Sequence, residues 1–148
     1  MSIFAIICAI VLAVGLVVYL HVANWIKYRF TFPIVLGLFA VTNDVFTVVT
    51  GDLQVLAQEV VISAGFLLIA LLSSFTQRVS SWLIVAMGLL SLGLYSIVHD
   101  SFFINSGIPQ WWPEFSAAFY VVLGGYLVLQ ALKQEPEQPM LFGESEKG

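Results

Sequence analysis

Two acidic side chains stand where acids are costly to keep. Asp44 and Glu59 each lie inside a long apolar run, and an ionisable group within a membrane span costs about 2.5 to 3.5 kcal/mol on insertion scales, which makes each a functional-site candidate. Asp44 precedes Asp52, in the turn Thr50-Gly51-Asp52, by eight residues, and Glu59 follows it by seven. At a rise of about 1.5 Å per residue each carboxyl falls roughly 8 to 10 Å inside the end of its helix, so neighbouring antiparallel helices would bring the two together. Two carboxylates in a low-dielectric site cannot both carry charge cheaply; either one holds a proton or a cation sits between them.

Polar neighbours extend this pair. Asn43, Thr47 and Thr50 follow at helical spacing, and Gln58 adjoins Glu59. Ser96, His99 and Asp100 close the fourth apolar run, and Glu114 opens the fifth. Gathered into one pocket, these carboxylates, amides and an imidazole, with no Lys or Arg, favour a proton, a cation or a small amine over an anion. Asp44, Glu59 and His99 are the candidate ligands for a divalent cation, with Asp100 a fourth in an enzyme that activates water on a metal. Known catalytic zinc sites more often use two or three histidines, so the metal reading ranks last, and no other cofactor is expected. The plainer reading makes Asp44 a protonated interhelical link to Asn43, Thr47 or a backbone carbonyl, worth about 1 kcal/mol. Glu59 would then extend toward the interface, and His99, Asp100 and Glu114 would be solvated or would cap helices. His21, with Asn24 a turn further on, sits near the other face of the bilayer, so it cannot share a haem or metal with His99 and reads as an interfacial anchor.

The elements that must position these groups follow from composition. The chain has 148 residues, 60% apolar and only 9% charged, far from the roughly 25% charged residues of soluble domains. Its net charge of -4 and lack of a basic face exclude nucleic acid as a partner. The single cysteine, Cys8, excludes a disulfide framework within the chain. Five nearly uncharged runs reach the roughly 20 residues that cross a bilayer: about 2–25, 31–50, 54–75, 80–99 and 112–133. The expected fold is therefore all-α, a polytopic integral membrane bundle of five transmembrane helices in the cell membrane. The segment 134–148, rich in Pro, Glu and Gln, reads as a disordered acidic tail whose Met140-Leu141-Phe142 triplet alone offers a docking element.

With alternating spans, Lys27, Arg29, Arg78, Lys133 and Lys147 share one side, whereas Asp52, Asp100 and Glu114 lie on the other. The excess of Lys and Arg places that side in the cytosol and the N-terminus outside. The first run lacks the basic n-region and cleavage site of a signal peptide and ends in Trp25, Lys27, Tyr28 and Arg29, so it reads as a retained span. Trp25, Tyr28 and Trp82 mark the expected cytosolic boundary; Trp111 and Trp112 mark the outer one. Ala5, Ala9 and Ala13, with Gly88, Gly93, Gly124 and Gly125, supply small-residue faces for helix packing. Three functions remain in view. The first is a pocket open to the outside that binds or passes a proton, cation or amine. The second is an accessory subunit of a larger membrane complex, and the third the metal-dependent enzyme. Partners follow in kind: the bilayer, and either further copies of the chain or other membrane subunits.

Overall fold

A computed structural model describes residues 3–50, 52–102 and 107–133. The elements are α1 (Ile3–Val22), a short 3-10 turn (Trp25–Lys27), α2 (Thr31–Ala40), α3 (Thr42–Thr50), α4 (Leu53–Ser73), α5 (Arg78–Phe102) and α6 (Trp112–Lys133). Strands are absent among the described residues. Five helical segments are long and apolar enough to cross a membrane: Ile3–Val22, Thr31–Val49, Leu53–Ser73, Arg78–His99 and Trp112–Lys133. The acidic tail lies outside the described residues.

The second of these segments is not one helix. The segment 31–50 reads as one run in the sequence, and its Pro33 and Gly37 both lie before the place where the helix ends. The structure ends α2 at Ala40, turns at Val41 (φ -88°, ψ 2°) and restarts at Thr42. A break inside an apolar span is tolerated where the freed backbone groups find partners elsewhere in the protein. Here the Ser63 hydroxyl on α4 lies 2.8 Å from the Ala40 carbonyl oxygen and donates to it. That hydroxyl belongs to the site described below.

The helices pack as an antiparallel bundle centred on α5 and α6, with Leu36, Val85, Ala86, Leu89, Leu123 and Leu127 buried at its core. Small residues set the close approaches. Ala5, Ala9 and Ala13 are buried where α1 lies on α6. A Cβ on Gly124 would meet Leu90 Cγ at 2.9 Å and the Ala86 carbonyl oxygen at 3.2 Å, whereas one on Gly125 would meet nothing within 4 Å. One of the paired glycines is thus a packing requirement and the other is not. Much of the exterior is apolar, with Phe4, Val11, Val49, Val61 and Leu132 among the exposed side chains.

The two ends of the bundle differ in charge and in fastening. At one end the left-handed Asn24 (φ 57°) turns the chain out of α1, and Thr31 Oγ1 bonds the Trp25 carbonyl at 2.7 Å. Arg29 reaches from this turn to the carbonyls of Ser74 and Thr76 in the α4–α5 connection, and Arg78 reaches back to the Ile26 carbonyl. At the other end Asp52 caps α4 by accepting from the amides of Gln54 and Val55 at 3.0 and 3.1 Å, as the side-chain oxygen of an N-cap does.

The aromatic boundary markers separate into two kinds. Trp25, Tyr28 and Trp111 are exposed, as interfacial rings would be. Trp82 and Trp112 are buried, which corrects their reading as boundary anchors. Trp82 packs edge-on to Phe32, and Trp112 packs on Phe46 and Phe115. Each faces a neighbouring helix, and position along a helix does not reveal that direction.

Candidate functional site

The site gathers on three helices near the Asp52 end. Glu59 on α4 and His99 on α5 are each 1% exposed, and His99 Nε2 is hydrogen-bonded to Glu59 Oε1. The second carboxylate oxygen, Oε2, accepts from the Tyr95 hydroxyl at 2.9 Å. Tyr95 and His99 are one helical turn apart, so both face α4, and their rings meet edge to face at 5.5 Å. One carboxyl thus holds two side chains of the neighbouring helix, one on each oxygen.

Ser63 stands one turn beyond Glu59 on the same face of α4 and continues the network to α3. Its Oγ lies 2.8 Å from the Ala40 carbonyl oxygen and 3.0 Å from Asp44 Oδ1. A serine hydroxyl has one hydrogen, and the carbonyl can only accept it. The Asp44 carboxyl oxygen competes with that carbonyl for the same hydrogen. Asp44 sits in the first turn of α3, is half-buried and lies within electrostatic reach of Glu59.

Neighbouring Asn43 points the other way. It is buried, and its Oδ1 accepts from Trp112 Nε1 of α6 at 3.0 Å. Thr47 Oγ1 donates to the Asn43 carbonyl at 2.9 Å. The first turn of α3 therefore fastens to α4 through Asp44 and to α6 through Asn43.

The nine residues expected in one pocket are divided by the fold. Asp44, Glu59 and His99 join one hydrogen-bonded centre, with Asn43 and Thr47 at its α6 side. Gln58 leaves it: neighbours on a helix point about 100° apart, and Gln58 lies exposed beside Ala57, Val61 and Ile62. Ser96 is buried but bonds the Leu92 carbonyl of its own helix at 2.9 Å. Glu114 faces a different groove, a space of about 550 Å³ lined with Ile6, Ile97, Gln110, Pro113, Ala117, Ala118 and Val121. The side chain of Asp100 lies outside the described residues, as does that of Thr50. Among the described residues no three or more of His, Cys, Asp and Glu are grouped as a metal ion requires, and Asp44, Glu59 and His99 are not so arranged.

Two members, Ser63 and Tyr95, are not evident from composition. The available signal is spacing: Glu59 and Ser63, like Tyr95 and His99, are four apart and share a helix face. At the opposite end His21 Nε2 lies 2.6 Å from the Tyr126 hydroxyl, so this histidine pairs across to α6. Comparison with known proteins adds no likeness to these observations. No family model, curated protein or solved structure matches the chain.

Proposed function

We propose that the protein is a multi-pass membrane protein that binds a proton at the Glu59–His99–Tyr95 centre and exchanges it with one side of the membrane. Five long apolar helical segments and an apolar exterior support the membrane reading. The Lys and Arg end lies in the cytosol and the Asp52 end outside, following the charge bias of cytoplasmic loops. The observation that carries the proton assignment is the buried bond between Glu59 and His99. A carboxyl and an imidazole in contact and nearly out of reach of solvent share a hydrogen bond, and a proton is a ligand such a pair accepts without being pulled apart. Facing Glu59 are Asp44 from α3 and Tyr95 and His99 from α5; α2, which also packs on α4, brings no titratable side chain.

Access is one-sided. Toward the basic end, Leu36, Val85, Leu89, Leu123 and Leu127 are at most 1% exposed. This apolar layer offers no relay atoms, so the centre senses the proton activity of the outer compartment and does not conduct. Half-buried Asp44 is the port.

The test is infrared titration of the reconstituted protein. A carboxylic C=O band that appears and disappears with pH is expected in the wild type, absent in Glu59→Gln and displaced along the pH axis in His99→Gln. In oriented vesicles only the pH on the Asp52 side moves it. An unchanged band in Glu59→Gln would refute the assignment, and equal response from both sides would refute one-sided access.

A further inference from the structure

The basic end carries positive charge that the fold holds in place without neutralising it. Arg29 and Arg78 cross between the same two connections in opposite directions: Arg29 donates to the Ser74 and Thr76 carbonyls, and Arg78 donates to the Ile26 carbonyl at 2.8 Å. Each bond is made through Nη2. The guanidinium of Arg29 lies 5.3 Å from the ring centre of Phe30, and that of Arg78 lies 5.1 Å from that of Trp82. Carbonyls and ring faces orient a guanidinium, but neither cancels its charge. Both side chains remain exposed.

Lys27 and Lys133 stand exposed at the same end, which His21 and Tyr126 tie together across α1 and α6. The acids of the described residues, Asp44, Asp52, Glu59, Asp100 and Glu114, all belong to the opposite half of their helices or to the opposite turn. Four cations are therefore presented with no carboxylate of the described residues beside them, two of them in a fixed crossing whose remaining N–H donors suit phosphate oxygens. Exposed Trp25, Tyr28 and Phe30 border the cluster with rings suited to headgroup depth.

We infer that this end is a docking surface for anionic phospholipid headgroups, with the Arg29–Arg78 clasp as its rigid centre and Lys27 and Lys133 as its flanks. The phosphate of a zwitterionic lipid is partly neutralised by its own amine, so the surface discriminates by headgroup charge. The inference depends on membrane embedding alone and not on the proton centre.

The experiment uses the full chain in a neutral detergent, with the unfolding temperature followed as phosphatidylglycerol, phosphatidylcholine or inorganic phosphate is added in separate titrations. Phosphatidylglycerol should raise the unfolding temperature saturably, and the other two should not. Replacing flanking lysines, as Lys27→Gln and Lys133→Gln, leaves the clasp intact and should raise the lipid midpoint about fivefold per lysine. Arg29→Gln with Arg78→Gln should abolish the preference, while Arg29→Lys with Arg78→Lys, which keeps the charge and loses the crossing, should retain part of it. Glu59→Gln should leave lipid selectivity unchanged, which separates this test from that of the proton centre. Equal stabilisation by the two lipids, a shift reproduced by inorganic phosphate, or lysine variants with the wild-type midpoint would each overturn the inference.

Discussion

Removing one partner of the Glu59–His99 pair should cost more than removing both in proportion, and the size of that discrepancy follows from the hydrogen bonds. In His99→Leu, the bond between His99 and Glu59 Oε1 is lost while Oε2 keeps the Tyr95 hydroxyl. A hydrogen bond to a charged group contributes about 1.5 to 3 kcal/mol, so a loss of about 2 to 3 kcal/mol is expected. In Glu59→Leu two donors lose their acceptor, the buried His99 ring and the half-buried Tyr95 hydroxyl. A stranded buried donor costs about 1 to 3 kcal/mol, which gives about 2 to 6 kcal/mol for this variant. Of these groups the double variant strands the Tyr95 hydroxyl, at a loss of about 1 to 3 kcal/mol, where simple addition would require about 4 to 9. The coupling is thus at least about 1 kcal/mol. Equilibrium unfolding in mixed micelles, on the wild type and three variants under one condition, measures it. Additivity within about 0.5 kcal/mol would show that the two side chains do not share an interaction, and the proton centre would fall with it.

Other variants test the packing and the helix break. Gly124→Ala should lose about 1 to 3 kcal/mol because its methyl meets Leu90 and the Ala86 carbonyl, whereas Gly125→Ala should be neutral or slightly stabilising in the same unfolding assay. Ser63→Ala should lose about 1 to 2 kcal/mol, since it removes the donor to the Ala40 carbonyl at the break. Ser81→Ala, which deletes a buried hydroxyl with no hydrogen-bond partner among the described residues, should be neutral or stabilising. Asn43→Leu should release Trp112 Nε1 from its acceptor. The expected outcome is about 1 kcal/mol of lost stability and a shift in tryptophan emission that is absent when the same change is made in a Trp112→Phe background.

The candidate site was only partly legible in advance. Asp44, Glu59 and His99 stand out because an ionisable residue inside an apolar run is costly, and that cost is readable from one chain. Their partners Ser63 and Tyr95 are common residues in apolar helices; only the facing of α4 toward α3 and α5 gives them a role. Gln58 and Ser96 have suitable chemistry and suitable depth. They fail on direction, one turned to the exterior and the other bonded back to its own helix.

Hydrophobic length and the scarcity of charge determined from sequence alone that the chain has five apolar helical segments long enough to cross a membrane, because the helix rise and the cost of charge in hydrocarbon depend on nothing outside each segment. The alternation of connections likewise placed Arg29 and Arg78 at one end, where each reaches to backbone carbonyls of the other's connection. Tertiary structure alone decided the break at Val41, the burial of Trp82 and Trp112, and the separation of Glu114 from the Glu59–His99 centre. Each depends on the rotation of a helix about its axis relative to its neighbours. Nearly uniform apolar helices carry little periodic signal for that rotation, and contacts such as Ser63 with Ala40 and Asn43 with Trp112 supply it only once the bundle has assembled.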